Sequence, residues 1–140
     1  MVLRHYGIRK QQGQLAIELG STEEAGTSPE SIHAFLVEHK LMPVWVEPAD
    51  IWTLRHAVDG DRVAIVAFQE WKDTPIDYRG EWECGHYSIV SGYDDSFLYL
   101  HDPSFETVIG YEYFDFMKRW HDYGNDGEKR REYNRLAIIA

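Results

Sequence analysis

The 140-residue sequence has a single cysteine, Cys84. An internal disulfide is therefore excluded, and so is a zinc site built from several thiolates. No apolar run approaches the roughly 18 residues of a membrane-spanning helix. The first residues, MVLRHYGIRKQQG, have no apolar centre of the kind a secretory signal carries. Positive charge is scarce: 14 Lys and Arg stand against 24 Asp and Glu, a net charge of −10. Such a surface repels phosphate backbones and anionic headgroups, so no nucleic acid and no membrane is expected as a partner. A glycine-rich phosphate loop, an internal repeat and a low-complexity tract are all missing. What the chain has in quantity is aromatic residues, 5 Trp, 9 Tyr and 6 Phe, which disordered segments are poor in. The length suits one domain with one core, and the composition reads as an acidic domain of the cytoplasm.

Periodicity and punctuation place the elements. Met1 to Tyr6 reads as a helix stopped by Gly7, and Gln11 to Leu19 as a second with Leu15, Ala16 and Leu19 inward. Ser28 and Pro29 open a third, carrying Ile32, Phe35, Leu36 and His39 on one stripe. Met42 to Val46 suits a short edge strand, and Asp50 caps a helix through Val58. The run Arg62 to Phe68 is apolar throughout, as a central strand is, and Gln69 to Glu81 reads as a polar loop. His86 to Tyr93 and Phe97 to Asp102 form a hairpin around Asp94 to Ser96. A helix from Tyr113 to Trp120, with Phe114, Met117 and Trp120 inward, precedes a closing strand from Tyr133 to Ala140. Helices come first and strands after, the pattern of an α+β fold. The first helix is short and uncapped, as the last turns of a longer helix would be. The domain, 1–140, is thus expected to be N-terminally incomplete. Val2, Leu3 and Tyr6 are then expected to form an exposed apolar patch where a second copy or a partner chain docks.

The segment GHYSIVSGYDDSFLYLHDP, residues 85 to 103, carries the chemistry. If Tyr93 faces Phe97, Ser88 faces Asp102, and His86 is the diagonal neighbour of Asp102 on the same face. Diagonal neighbours lie about 7–8 Å apart at the backbone, within side-chain reach. A carboxylate on one imidazole nitrogen fixes the tautomer and leaves the other as a general base. A register slip of one residue would part the pair. On spacing alone a His–Asp pair reads first as a tie between strands, because catalysis also needs a nucleophile. Cys84, two residues before His86, is about 6–7 Å from it along a strand, long for a nucleophile and its base. Ser88 has no nucleophile elbow around it. His86, His101, Asp102, His121 and Asp122 do not match metal-motif spacings, so neither a metal site nor an organic cofactor is expected.

GHYSIVSGYDD, YLHDPS and YFDFMKRWHD, in this order, resemble the papain-like cysteine peptidases of family 39, the type that processes bacteriocin leaders, and its stand-alone relatives. MVLRHYGI is similar to the end of that family's first helix. The resemblance spans nearly the whole chain. It implies a papain-like fold, with a helical first half packed on an antiparallel sheet, and hydrolysis of a peptide or protein substrate by a Cys-His-Asp triad. His86 matches the family's base and Asp102 the acid that orients it. The family's nucleophilic cysteine and oxyanion glutamine would precede Met1. Cys84, Gln11 and Gln12 do not match those positions. The chain as given is therefore expected to be inactive. The alternative is a pseudo-peptidase module that binds a peptide without cutting it.

Overall fold

The computed structural model describes all residues except 24, 25, 75, 103–106, 127 and 128. Four helices, α1 (Val2–His5), α2 (Gln12–Glu18), α3 (Pro29–Glu38) and α4 (Ile51–Asp59), fall in the first half, with β1 (Val44–Val46) between α3 and α4. The second half holds β2 (Ala64–Gln69), β3 (Gly85–Tyr93), β4 (Phe97–Asp102), β5 (Thr107–Glu112), α5 (Tyr113–Arg119), β6 (His121–Asp126), β7 (Lys129–Asn134) and β8 (Ala137–Ile139). The main sheet runs β1-β8-β2-β3-β4-β5 with every pairing antiparallel, and β6 and β7 form a separate ribbon. The architecture is mixed helix and antiparallel sheet, compatible with α+β. No helix among the described residues is long and apolar enough to cross a membrane.

The helix starts follow their caps. Ser28 Oγ accepts from Ser31 N and Asp50 Oδ1 from Thr53 N, each satisfying an amide that the first turn leaves unpaired. The alternating side chains of β2 divide the core in two. Ala64, Val66 and Phe68 pack with Leu54 and Ala57 of α4 and with Phe116 and Trp120. On the other face Ile65 packs with Leu36 of α3 and with Leu136 and Ile138.

Several expectations are corrected. The stretch Tyr133 to Ala140 is not one strand. Arg135 adopts a positive φ of 53° and its N–H donates to Trp120 O, so the chain leaves the ribbon there and enters the main sheet as β8. Phe114 points outward, 73% exposed, because the inward stripe of α5 runs through Tyr113, Phe116, Met117 and Trp120. Ala16 is exposed, whereas Leu15 and Leu19 are half-buried. Val2, Leu3 and Tyr6 do not stand free as an apolar patch. Leu3 is buried, Val2 and Tyr6 pack on the Leu36–Ile138 cluster, and Tyr6 Oη donates to Ala140 O at 2.6 Å.

The hairpin also differs from expectation near its turn. Tyr93 pairs with Leu98, not Phe97, and Gly92 with Tyr99. A bulge between Val90 and Gly92 then inserts one residue, after which Val90 pairs with Leu100 and Ile89 with His101. The turn is fixed by Asp94 Oδ1, which accepts from Ser96 N and Phe97 N. A slip of one residue moves every side chain to the opposite face. Here the bulge cancels the slip, so His86 and Asp102 share a face after all.

Candidate active site

Phe68 on β2 lies opposite His86 on β3, and Gln69 opposite Gly85. The ladder continues one step beyond β2, with Glu70 N donating to Cys84 O at 2.8 Å. Strand alternation then puts Glu70 on the face of Phe68 and His86. On that face His86 Nε2 is 3.1 Å from Asp102 Oδ1 and 3.8 Å from Glu70 Oε1. Asp102 is 2% exposed and the His86 side chain 19%. The Phe68 ring meets the imidazole edge to face, with centroids 6.1 Å apart. An imidazole whose Nε2 is held by a carboxylate carries its proton there and keeps a lone pair on Nδ1. No described residue hydrogen-bonds Nδ1.

Burial, and then a hydrogen bond with Asp102, push the Glu70 carboxyl above the usual carboxylate range, while His86 opposes the shift. Burial also raises the Tyr111 hydroxyl to about 12; Arg119 and a hydrogen bond with Trp71 oppose this, and Glu70 and Asp102 add to it. The buried Ser88 Oγ has no hydrogen-bond partner among the described residues.

The structure does not bring Cys84 into this group. Its thiol is pushed up, first by burial and then by Glu81 and Glu70, with Lys72 opposing. A raised thiol is a poor nucleophile. His101 is on the opposite face of β4 from Asp102, at a groove lined by Leu3 and Ile65. His121 Nε2–H donates to Glu81 O at 2.6 Å, and the ring packs at a tilt against Trp82. Pro103 and Ser104 of the YLHDPS motif lie outside the described residues.

A cleft of about 510 Å³ opens beside His86. Its walls are Thr27 and Ser28 from the helical half and Trp82, Gly85, Asp122 and Tyr123 from the strand half. That volume falls within the range of pockets that hold small ligands or a few residues of peptide. No family model, curated protein or solved structure matches the chain.

Two residues of this region escape sequence reading. Glu70 sits in what reads as a polar loop, and only the β2–β3 register, which no short turn dictates, shows its face. Gln69 is fully buried as a tie between strands. Its Nε2 donates to His121 O and Asp122 Oδ1, and its Oε1 accepts from Cys84 N. Asp122, raised by burial, also accepts from Tyr123 N. Its carboxylate occupies the space above Gly85. A Cβ on Gly85 would lie 2.7 Å from Asp122 Cγ and closer still to both oxygens. Because Asp122 is pinned from two sides, Gly85→Ala is expected to cost about 1–3 kcal/mol of stability, the usual cost of overpacking. Urea denaturation measures it, and a variant as stable as the parent would show that Asp122 swings aside freely.

Proposed function

We propose that this chain forms most of a papain-like cysteine peptidase domain of the family-39 type, with His86 as general base and Asp102 as the acid that orients it. The observation that carries the reading is the 3.1 Å contact between His86 Nε2 and the buried Asp102 Oδ1. The order of the Gly-His strand, the Gly-Tyr-Asp turn and the His-Asp strand end adds to it. The cleft between helical and strand halves, beside the imidazole, suits an extended peptide.

In this reading a thiol and an oxyanion donor come from a segment that precedes α1. The thiol gives its proton to His86 Nδ1, and the thiolate attacks the peptide carbonyl. The imidazolium, held by Asp102, returns the proton to the departing amine as the thioester forms. Water then adds to the thioester, with His86 taking its proton, and the acid product leaves as the thiol is restored.

The 140-residue chain alone is expected to cleave no peptide. An extended chain, with ~10–20 added residues that end in a Cys-Gly helix start leading into α1, is expected to gain thiol-dependent cleavage. At a helix N-terminus the thiolate is favoured by the macrodipole. The measurement is a peptide-library cleavage assay with the cysteine-to-alanine form as control. A folded extended chain with no cleavage and no labelling by a thiol-reactive peptide probe would end the enzyme reading. A second reading, peptide binding without cleavage, is favoured by Cys84, the single thiol of this chain, whose raised, Glu81-facing environment is unsuited to attack. Binding without cleavage by the extended chain would select it.

A further inference from the structure

We propose that Glu70, His86 and Asp102 bind one divalent transition-metal ion of the zinc class. The donor atoms Glu70 Oε1, His86 Nε2 and an Asp102 carboxylate oxygen all lie within 4.8 Å of one another. The two measured edges of this triangle are 3.1 and 3.8 Å. A tetrahedral zinc with ligands at about 2.0–2.2 Å spaces them about 3.3–3.5 Å apart, so shifts of a few tenths of an ångström suffice. One imidazole and two carboxylates are the donors that zinc and its first-row neighbours accept, and the two anionic groups balance a divalent charge.

An independent observation lies in an unpaired oxygen. Ser88 is 2% exposed and pairs with Val66, which sets it beside His86 on the shared face, and its Oγ has no hydrogen-bond partner among the described residues. Buried polar atoms without partners are rare and call for an ion or a water. The Ser88 hydroxyl is on the face where an outer-shell group orients a ligand or a metal-bound water. The sequence spacing, 70, 86 and 102, matches no short metal motif, because the ligands come from three separate segments: the residue after β2, β3 and the end of β4.

The proposal does not rest on the peptidase reading, since it needs no nucleophile. It does bear on it. An imidazole that ligates through Nε2 keeps its proton on Nδ1 and accepts no other, so the bound ion would switch the base off.

The test is calorimetric titration of the metal-stripped 140-residue chain with zinc chloride, with no assay of activity. One ion per chain is expected, with a Kd of about 10 μM or tighter, roughly 7 kcal/mol of binding. The nitrogen resonance of His86 Nε2 is expected to move on saturation. Glu70→Gln keeps size and polarity and is expected to weaken binding more than about 100-fold, beyond the 10–100-fold of outer-shell changes. Circular dichroism checks its fold, and His86→Gln is the second variant if Glu70→Gln fails to fold. A parent Kd above about 100 μM, an unmoved His86 signal, or unchanged affinity in the variant that folds would overturn the proposal. Any of these results would leave the peptidase reading standing.

Discussion

His86→Ala, introduced into the extended, thiol-bearing chain, is expected to lower kcat about 10²–10⁴-fold, the contribution of a positioned general base. Two separate effects combine. The thiol loses the group that takes its proton, and the departing amine loses its acid. KM is expected to change little, because the imidazole is one wall among several in a cleft that Trp82, Tyr123 and the residues at the start of α3 also line. Asp102→Ala is expected to weaken kcat by a smaller factor. Asp102 touches Nε2, the nitrogen remote from the thiol in this reading, and acts by fixing the tautomer and the ring. Asp102→Asn, which retains an acceptor oxygen, is expected to fall between parent and Asp102→Ala. A change in stability alone would not give that order with KM constant. Steady-state kinetics on peptide substrates, with denaturation midpoints measured in parallel, checks it. Full kcat in His86→Ala would remove the base from the proposed mechanism.

The largest stability effect is expected at Arg119, far from any reacting atom. The residue is 1% exposed, although a guanidinium is a cation. The guanidinium stacks against Tyr78 at 3.5 Å and Trp71 at 4.1 Å from the ring centroids. Its Nε donates to both Asp115 oxygens, at 3.0 and 3.1 Å, and Nη1 donates to Gln69 O at 3.4 Å. Removing a buried side chain of this size together with desolvated cation–π contacts costs about 3–5 kcal/mol. Arg119→Ala is therefore expected to lower the unfolding free energy by that amount, read as a fall in the urea midpoint with an unchanged slope. Arg119→Lys keeps the charge but loses the flat fork that stacks and donates at once, and is expected to lose at least about 1 kcal/mol. Because the group is shielded from solvent, the deficit is expected to survive high salt. An Arg119→Ala variant within about 1 kcal/mol of the parent would show that the surrounding rings close over the space unaided.

What the sequence makes legible is local. The Ser28 and Asp50 caps, the apolar stripe of α3 and the apolar run of β2 each follow from a few neighbouring residues. The bulge at residue 91 does not. The expected pairing of Tyr93 with Phe97 is off by one at the turn, and the shared face of His86 and Asp102 survives only because the inserted residue cancels the slip. Strand β5 and the β6–β7 ribbon escape a reading by alternation, since sequences such as KRREYN and HDYGND carry no apolar alternation. They become strands by pairing with one another and with β4. Glu70 is missed for a related reason: its face is decided across the sheet, by a register between strands joined through a long connection.

The position of β8 in the sheet has a kinetic consequence. Val44 pairs with Ile139, and Val66 with Ala137, so β8 fills the slot between β1 and β2. Pairings this distant in sequence carry a loop-closure cost before they return any contact energy, and chains dominated by them fold in milliseconds to seconds rather than microseconds. During synthesis the β2 edge, six fully buried residues in the finished molecule, stands without its neighbour until residue 139 has left the ribosome. Until that moment the growing chain exposes an apolar strand edge, the kind of surface that chaperones and aggregates both recognise.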